Sequence, residues 1–103
     1  MKKGHRYRVT IEHLATPRAD GAIHAPLSFE TVNHDEVLGI AERTVAGGRY
    51  ERDESAALAI GLKLFTEVML SHRDDPLFAD LMPALRDFIG RLKERNRTAT
   101  AAG

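Results

Sequence analysis

The segment from about residue 54 to 72 constrains this chain more than any other. It reads as one long helix, capped by Asp53, with Glu54 in the first turn where an acid meets the positive end of the helix dipole. Leu58, Ile60, Leu62, Leu64, Phe65, Val68 and Met69 cover more than half of its wheel. The remaining stripe is narrow: Lys63, Thr66 and Glu67, continued backwards by Ala59 and Ala56. A helix apolar on so many sides is buried on most of them. The expectation is a central, buried helix that turns only Lys63, Thr66 and Glu67 to water.

The rest of the chain must supply its neighbours. Residues 5–14 alternate: Tyr7, Val9 and Ile11 fall on one side, and Arg6, Arg8, Thr10 and Glu12 on the other. That period of two predicts a half-buried strand. A second strand is expected at about 26–32, where Leu27, Phe29 and Thr31 alternate with Ser28 and Glu30. Thr16-Pro17-Arg18-Ala19-Asp20-Gly21 between them is turn chemistry. Asn33 followed by Glu36 has the spacing of a capping box, so a helix starts there, and Gly47-Gly48 stops it. Val37, Leu38, Ala41 and Val45 form its apolar side. Asp75-Pro76 opens a last helix that runs to about Arg95, with Leu81, Leu85, Phe88, Ile89 and Leu92 as its core stripe. Pro83 requires either a kink or a fresh start at Asp80 or Leu81.

Strands followed by helices define the α+β class. The expected architecture is an N-terminal antiparallel β-hairpin followed by three helices, with the sheet packed on the helices. A single α+β domain over 1–97 precedes a disordered tail at 98–103. A two-stranded sheet has exposed edges, which proteins cover. A third strand near Arg49-Tyr50-Glu51, or a homodimer formed through the sheet edge, would supply that cover.

Composition narrows the function classes. Fifteen basic and fifteen acidic side chains balance, so no net field draws in nucleic acid or an anionic membrane. Without cysteine there is no disulfide, thiolate metal site or cysteine nucleophile. The basic start Met1-Lys2-Lys3 lacks the apolar core of a signal peptide, which points to the cytoplasm. Ala56 to Leu70, interrupted by Lys63 and Glu67, is too short to span a bilayer.

No residue set has the spacing of a catalytic, cofactor or metal motif. The five histidines include no His-x-x-x-His pair. His72 lies near the end of the long helix, where an imidazolium favours the exposed carbonyls. His34 or His72 with Asp74 is the one arrangement that could serve acid–base chemistry. The acids around Glu51–Glu54 and Asp74–Asp80 stand where helices start, and capping accounts for them. Arg6 and Arg8, with Lys3, make the N-terminus basic and could touch nucleic acid, but Glu30 across the hairpin is their natural partner.

Three stretches together, His5–Ile11, Ala57–Leu70 and Asp75-Pro76-Leu77-Phe78, resemble small bacterial proteins of the domain-of-unknown-function family 3861. The resemblance implies a bacterial, cytoplasmic domain and brings no catalytic residue, cofactor or activity with it. The expected function is therefore a non-enzymatic interaction or small-ligand-binding module that self-associates. A small enzyme with a His/Asp site and weak nucleic-acid binding through the basic N-terminus are the alternatives.

Overall fold

The computed structural model describes residues 3–102, with side chains over 3–98. Six elements follow in order: β1 (His5–Ile11), β2 (Leu27–Asn33), α1 (Val37–Ala46), α2 (Arg52–Ser71), α3 (Pro76–Ala79) and α4 (Met82–Ala102). The architecture is α+β, an antiparallel two-stranded sheet followed by helices. The chain forms two compact units, residues 1–35 and 36–103.

In the first unit, β1 and β2 pair from His5 opposite Asn33 to Ile11 opposite Leu27. This register puts Arg6, Arg8 and Thr10 on one face with Val32, Glu30 and Ser28, because side chains alternate along a strand. The Thr10 and Ser28 hydroxyls bond across that face at 2.7 Å. Tyr7, Val9, Ile11, Leu27 and Phe29 share the other face, and Ile11, Leu27 and Phe29 remain exposed. β1 ends at Ile11 rather than 14. In the connection that follows, Arg18 O accepts from Gly21 N at 3.0 Å and also from the Thr16 hydroxyl.

In the second unit, α1 is capped by Glu36 rather than by Asn33. The Glu36 carboxylate accepts from Leu38 N at 2.9 Å and Gly39 N at 3.1 Å. Asn33 instead closes β2, where its buried Oδ1 accepts from Asp35 N at 2.9 Å. Helix α1 stops as expected. Gly47 N donates to Arg43 O and Gly48 N to Val45 O, both at 3.1 Å. Gly48 has φ +67, the left-handed conformation that a Cβ disfavours. Gly48→Ala should therefore lower stability by about 1 kcal/mol, read as a lower urea midpoint at unchanged slope. Residues 47–51 form an irregular link, so no third strand stands near Arg49.

Helix α2 begins at Arg52, and its N-cap, Glu51, makes no side-chain capping bond. Asp53 is thus inside the first turn rather than the cap, and its carboxylate meets Arg52 at 2.8 Å. The orientation of α2 is the largest departure from expectation. Its buried residues are Ser55, Ala59, Lys63, Thr66, Glu67 and Met69. The stripe assigned to water is mostly the buried one, with Lys63 8% and Glu67 6% exposed. Phe65 and Val68, assigned to the core, are 42% and 54% exposed. Helices α1 and α2 pack together, and α1 likewise buries Val37, Ala41 and Thr44. Small side chains at Ala41, Ser55 and Ala59 leave room for two backbones to approach. Among the described residues, no buried side-chain nitrogen or oxygen lacks a hydrogen-bond partner.

The last expected helix is two. Asp75 caps α3, accepting from Leu77 N at 2.9 Å with Pro76 in the first turn. After this short helix α4 starts at Met82, which places Pro83 in its first turn, where a missing N–H costs nothing. The helical core is Met69, Phe78 and Leu85, with Leu62, Met82 and Ile89 packed against it. The backbone of α4 continues to Ala102. The tail expected at 98–103 falls, beyond Thr98, on side chains outside the described residues, as does Gly103 entirely.

Candidate functional site

Three helices of the second unit enclose a cleft of about 580 Å³. Ile40 of α1, Leu62 of α2, and Ile89 and Leu92 of α4 line its floor. Spacing places them there: Ile89 and Leu92 lie three residues apart on one side of α4. Lys93 and Arg97, one turn apart on the same helix, stand at the rim with Arg43 from the last turn of α1. Lys63 and Asn96 complete the lining, and Asn96 Nδ2 donates to Thr44 Oγ1 at 3.0 Å, tying α4 to α1. The lining therefore holds four cations and no carboxylate. Outside it, Glu94 accepts from Arg97 Nε at 3.2 Å, and the hydrogen bonds from Arg97 hold the Glu94 carboxyl below its usual range.

A second face of the same helices is apolar and open. Phe65 and Val68 of α2, Leu81 just before α4, and Phe88 of α4 are all exposed. A depression of about 410 Å³ at Phe88 is lined further by Tyr50, Leu58 and Leu92 and by Glu54, Arg91 and Arg95.

The residues singled out from sequence lie elsewhere. Arg6 Nη2 donates to Glu30 Oε1 at 2.7 Å, and Arg8 Nη2 to Oε2 at 3.1 Å, so one carboxylate already holds both arginines. Hydrogen bonds from Arg6, then from Arg8, and the charge of Arg6 keep the Glu30 carboxyl below its ordinary 4.5. Because the folded value is the lower one, the pairing favours the fold above pH 4.5 and is lost as pH falls through the depressed value. In an NMR titration Glu30 should show a midpoint under 4.5, and Arg6→Gln should raise it. An unmoved midpoint in that variant would contradict the pairing.

His34 Nε2 lies 3.5 Å from Asp35 Oδ2 at the surface. His72 ends α2 as expected, its N–H donating to Met69 O at 3.1 Å. Among the described residues, no hydrogen bond or ion pair joins His72 to Asp74, and both are exposed. Nor do the described residues contain any group of three or more histidines and acids able to hold a metal ion. Sequence reasoning missed the cleft. Its signal was the pairing of Ile89 and Leu92 with Lys93 and Arg97, which as a plain helix pattern reads only as core beside solvent.

The sheet, the helices and their cleft define an α+β chain with two candidate binding surfaces. The chain belongs to the family described as "Domain of Unknown Function with solved-structure structure (DUF3861)", whose profile matches residues 5–94. It is similar to a protein of unknown function from Pectobacterium atrosepticum SCRI1043, whose crystal structure was determined at 2.20 Å resolution. The two share 32% sequence identity and a TM-score of 0.76 over 89% of this chain and 99% of the other. No functionally curated protein matches the sequence. Among the described residues, no helix is long and apolar enough to cross a membrane.

Proposed function

We propose that this chain is a non-enzymatic binding module that works as a homodimer in the bacterial cytoplasm. The observation that carries the proposal is the outward face of α2. A helix of 20 residues, about 30 Å long, buries Ser55, Lys63, Thr66 and Glu67 and leaves Phe65 and Val68 in water. Exposed apolar patches rimmed by polar residues mark interaction surfaces. Leu81 and Phe88, at the start of and within α4, are exposed as well, and the depression at Phe88 gives relief into which a protruding side chain can fit.

A second copy suits this face. Zero net charge at neutral pH leaves no long-range repulsion between copies. An isologous contact would present the same apolar stripe from both sides. The outer edges of β1 and β2 offer backbone groups that a second copy could pair. A chain without cysteine suits a reducing compartment, and the Pectobacterium relative supports a bacterial source. Nucleic acid is the weaker partner, since phosphate would have to displace Glu30 from Arg6 and Arg8. Sedimentation velocity on the purified chain at tens of micromolar should give twice the 11.4 kDa chain mass. A monomer at that concentration refutes the dimer.

A further inference from the structure

The geometry points to a ligand for the basic-rimmed cleft of the second unit: a single-chain anionic amphiphile, of which a medium-chain fatty acid is the simplest form. The cleft's volume of about 580 Å³ lies within the range of small-molecule sites, roughly 300–1,000 Å³. Ile40, Leu62, Ile89 and Leu92 offer an acyl chain a purely aliphatic floor. Arg43 and Lys93, from two helices, carry the charge of the rim; Arg97 beside them is already paired with Glu94, and no acid is among the lining residues. A carboxylate at that rim would gain charge-assisted hydrogen bonds, and a guanidinium can meet it in bidentate fashion. An ammonium head would face Arg43 and Lys93, with the neighbouring Glu94 carboxylate already engaged by Arg97. The protein as a whole is neutral, so this local excess of cations is not a by-product of composition.

The cleft and the surface assigned to self-association share Leu92, which lines both the cleft and the depression at Phe88, and otherwise use different residues. At 100° per residue, Ile89, Lys93 and Asn96 centre about 100° from Phe88 on the α4 wheel. The same holds on α2, where Phe65 and Val68 are offset from Leu62 and Lys63. Arg43 and Lys93 line only the cleft, so substitutions there test the ligand without touching the apolar face.

The test is calorimetric titration of the full chain with dodecanoate, below its micelle-forming concentration, beside dodecyltrimethylammonium as a probe with the same tail and the opposite charge. Dodecanoate should bind saturably, one per chain, and the cation should not. Arg43→Gln combined with Lys93→Glu should weaken dodecanoate at least tenfold while the helical circular dichroism is retained. Lys93→Glu alone, at an exposed position, should move the affinity in the same direction. Equal binding of both probes, or dodecanoate affinity unchanged in the charge variants, would overturn the assignment. Sedimentation of the same samples reads self-association independently. A dimer that takes up no dodecanoate removes the ligand and keeps the dimer, and a monomer that binds dodecanoate does the reverse.

Discussion

Val68→Glu with Phe88→Glu should convert the proposed dimer to a monomer and leave the helical unit folded. Both side chains are about half exposed, so a carboxylate at either position keeps its water within one copy. In an interface it does not. Each glutamate would be taken from water against an apolar partner, and burying an unpaired charge costs several kcal/mol. Two-fold symmetry places each substitution in the interface twice. The dissociation constant should rise by at least two orders of magnitude, enough to give a single-chain mass at tens of micromolar. The urea midpoint extrapolated to low protein concentration should barely move, because exposed substitutions are usually within about 0.5 kcal/mol. Retained dimer mass in the double variant would show that another surface, such as the sheet edge, holds the copies together.

Phe78→Ala should cost about 3–5 kcal/mol of stability, the range for truncating a core phenylalanine. The reason lies in the shortness of α3, which has four residues and cannot be stable alone. Asp75 and Pro76 set its start, but Phe78 holds it in place. This ring is buried with Met69 and Leu85 and meets the Phe65 ring edge-on, at 6.0 Å and 78° between planes. Its removal opens a cavity where the end of α2 and the start of α4 meet. Total stabilities of about 5–15 kcal/mol make such a loss large. Leu77 is the internal control: same helix, 76% exposed, and Leu77→Ala should shift the urea midpoint by a small fraction of that. Similar losses in the two variants would mean that α3 is held by its backbone and not by Phe78.

The elements were legible in the sequence and their faces were not. Alternation found both strands and the Arg6–Glu30–Arg8 pairing, glycine found the end of α1, and Asp75-Pro76 found the start of α3. Each of these is local chemistry, decided within a few residues or across one hairpin. The cap at Glu36 was misassigned to Asn33 because both side chains can accept from nearby amides, and only the path of the chain decides between them. The orientation of α2 could not be read at all. A wheel that is mostly apolar does not say which apolar side meets its own chain and which is left open. Here the close approach of α1 selects the side bearing Ala59, and the polar groups Lys63, Thr66 and Glu67 go in with it. The cleft was illegible for a similar reason, since Arg43, Lys93 and Arg97 converge only once α1 and α4 are in place.

The seam of α2 against α1 has a consequence for alignment. Its buried hydroxyls are satisfied locally: Thr44 donates to Ile40 O within α1, and Thr66 to Lys63 O within α2. Sliding one helix along the other would leave these bonds intact, so they do not set the registration. Side-chain size does. Ala41, Ser55 and Ala59 are buried where the helices approach, and a shift that brought a bulkier side chain into their place would force the backbones apart. That fit decides where Ile40 and Arg43 stand relative to Leu62 and Lys63.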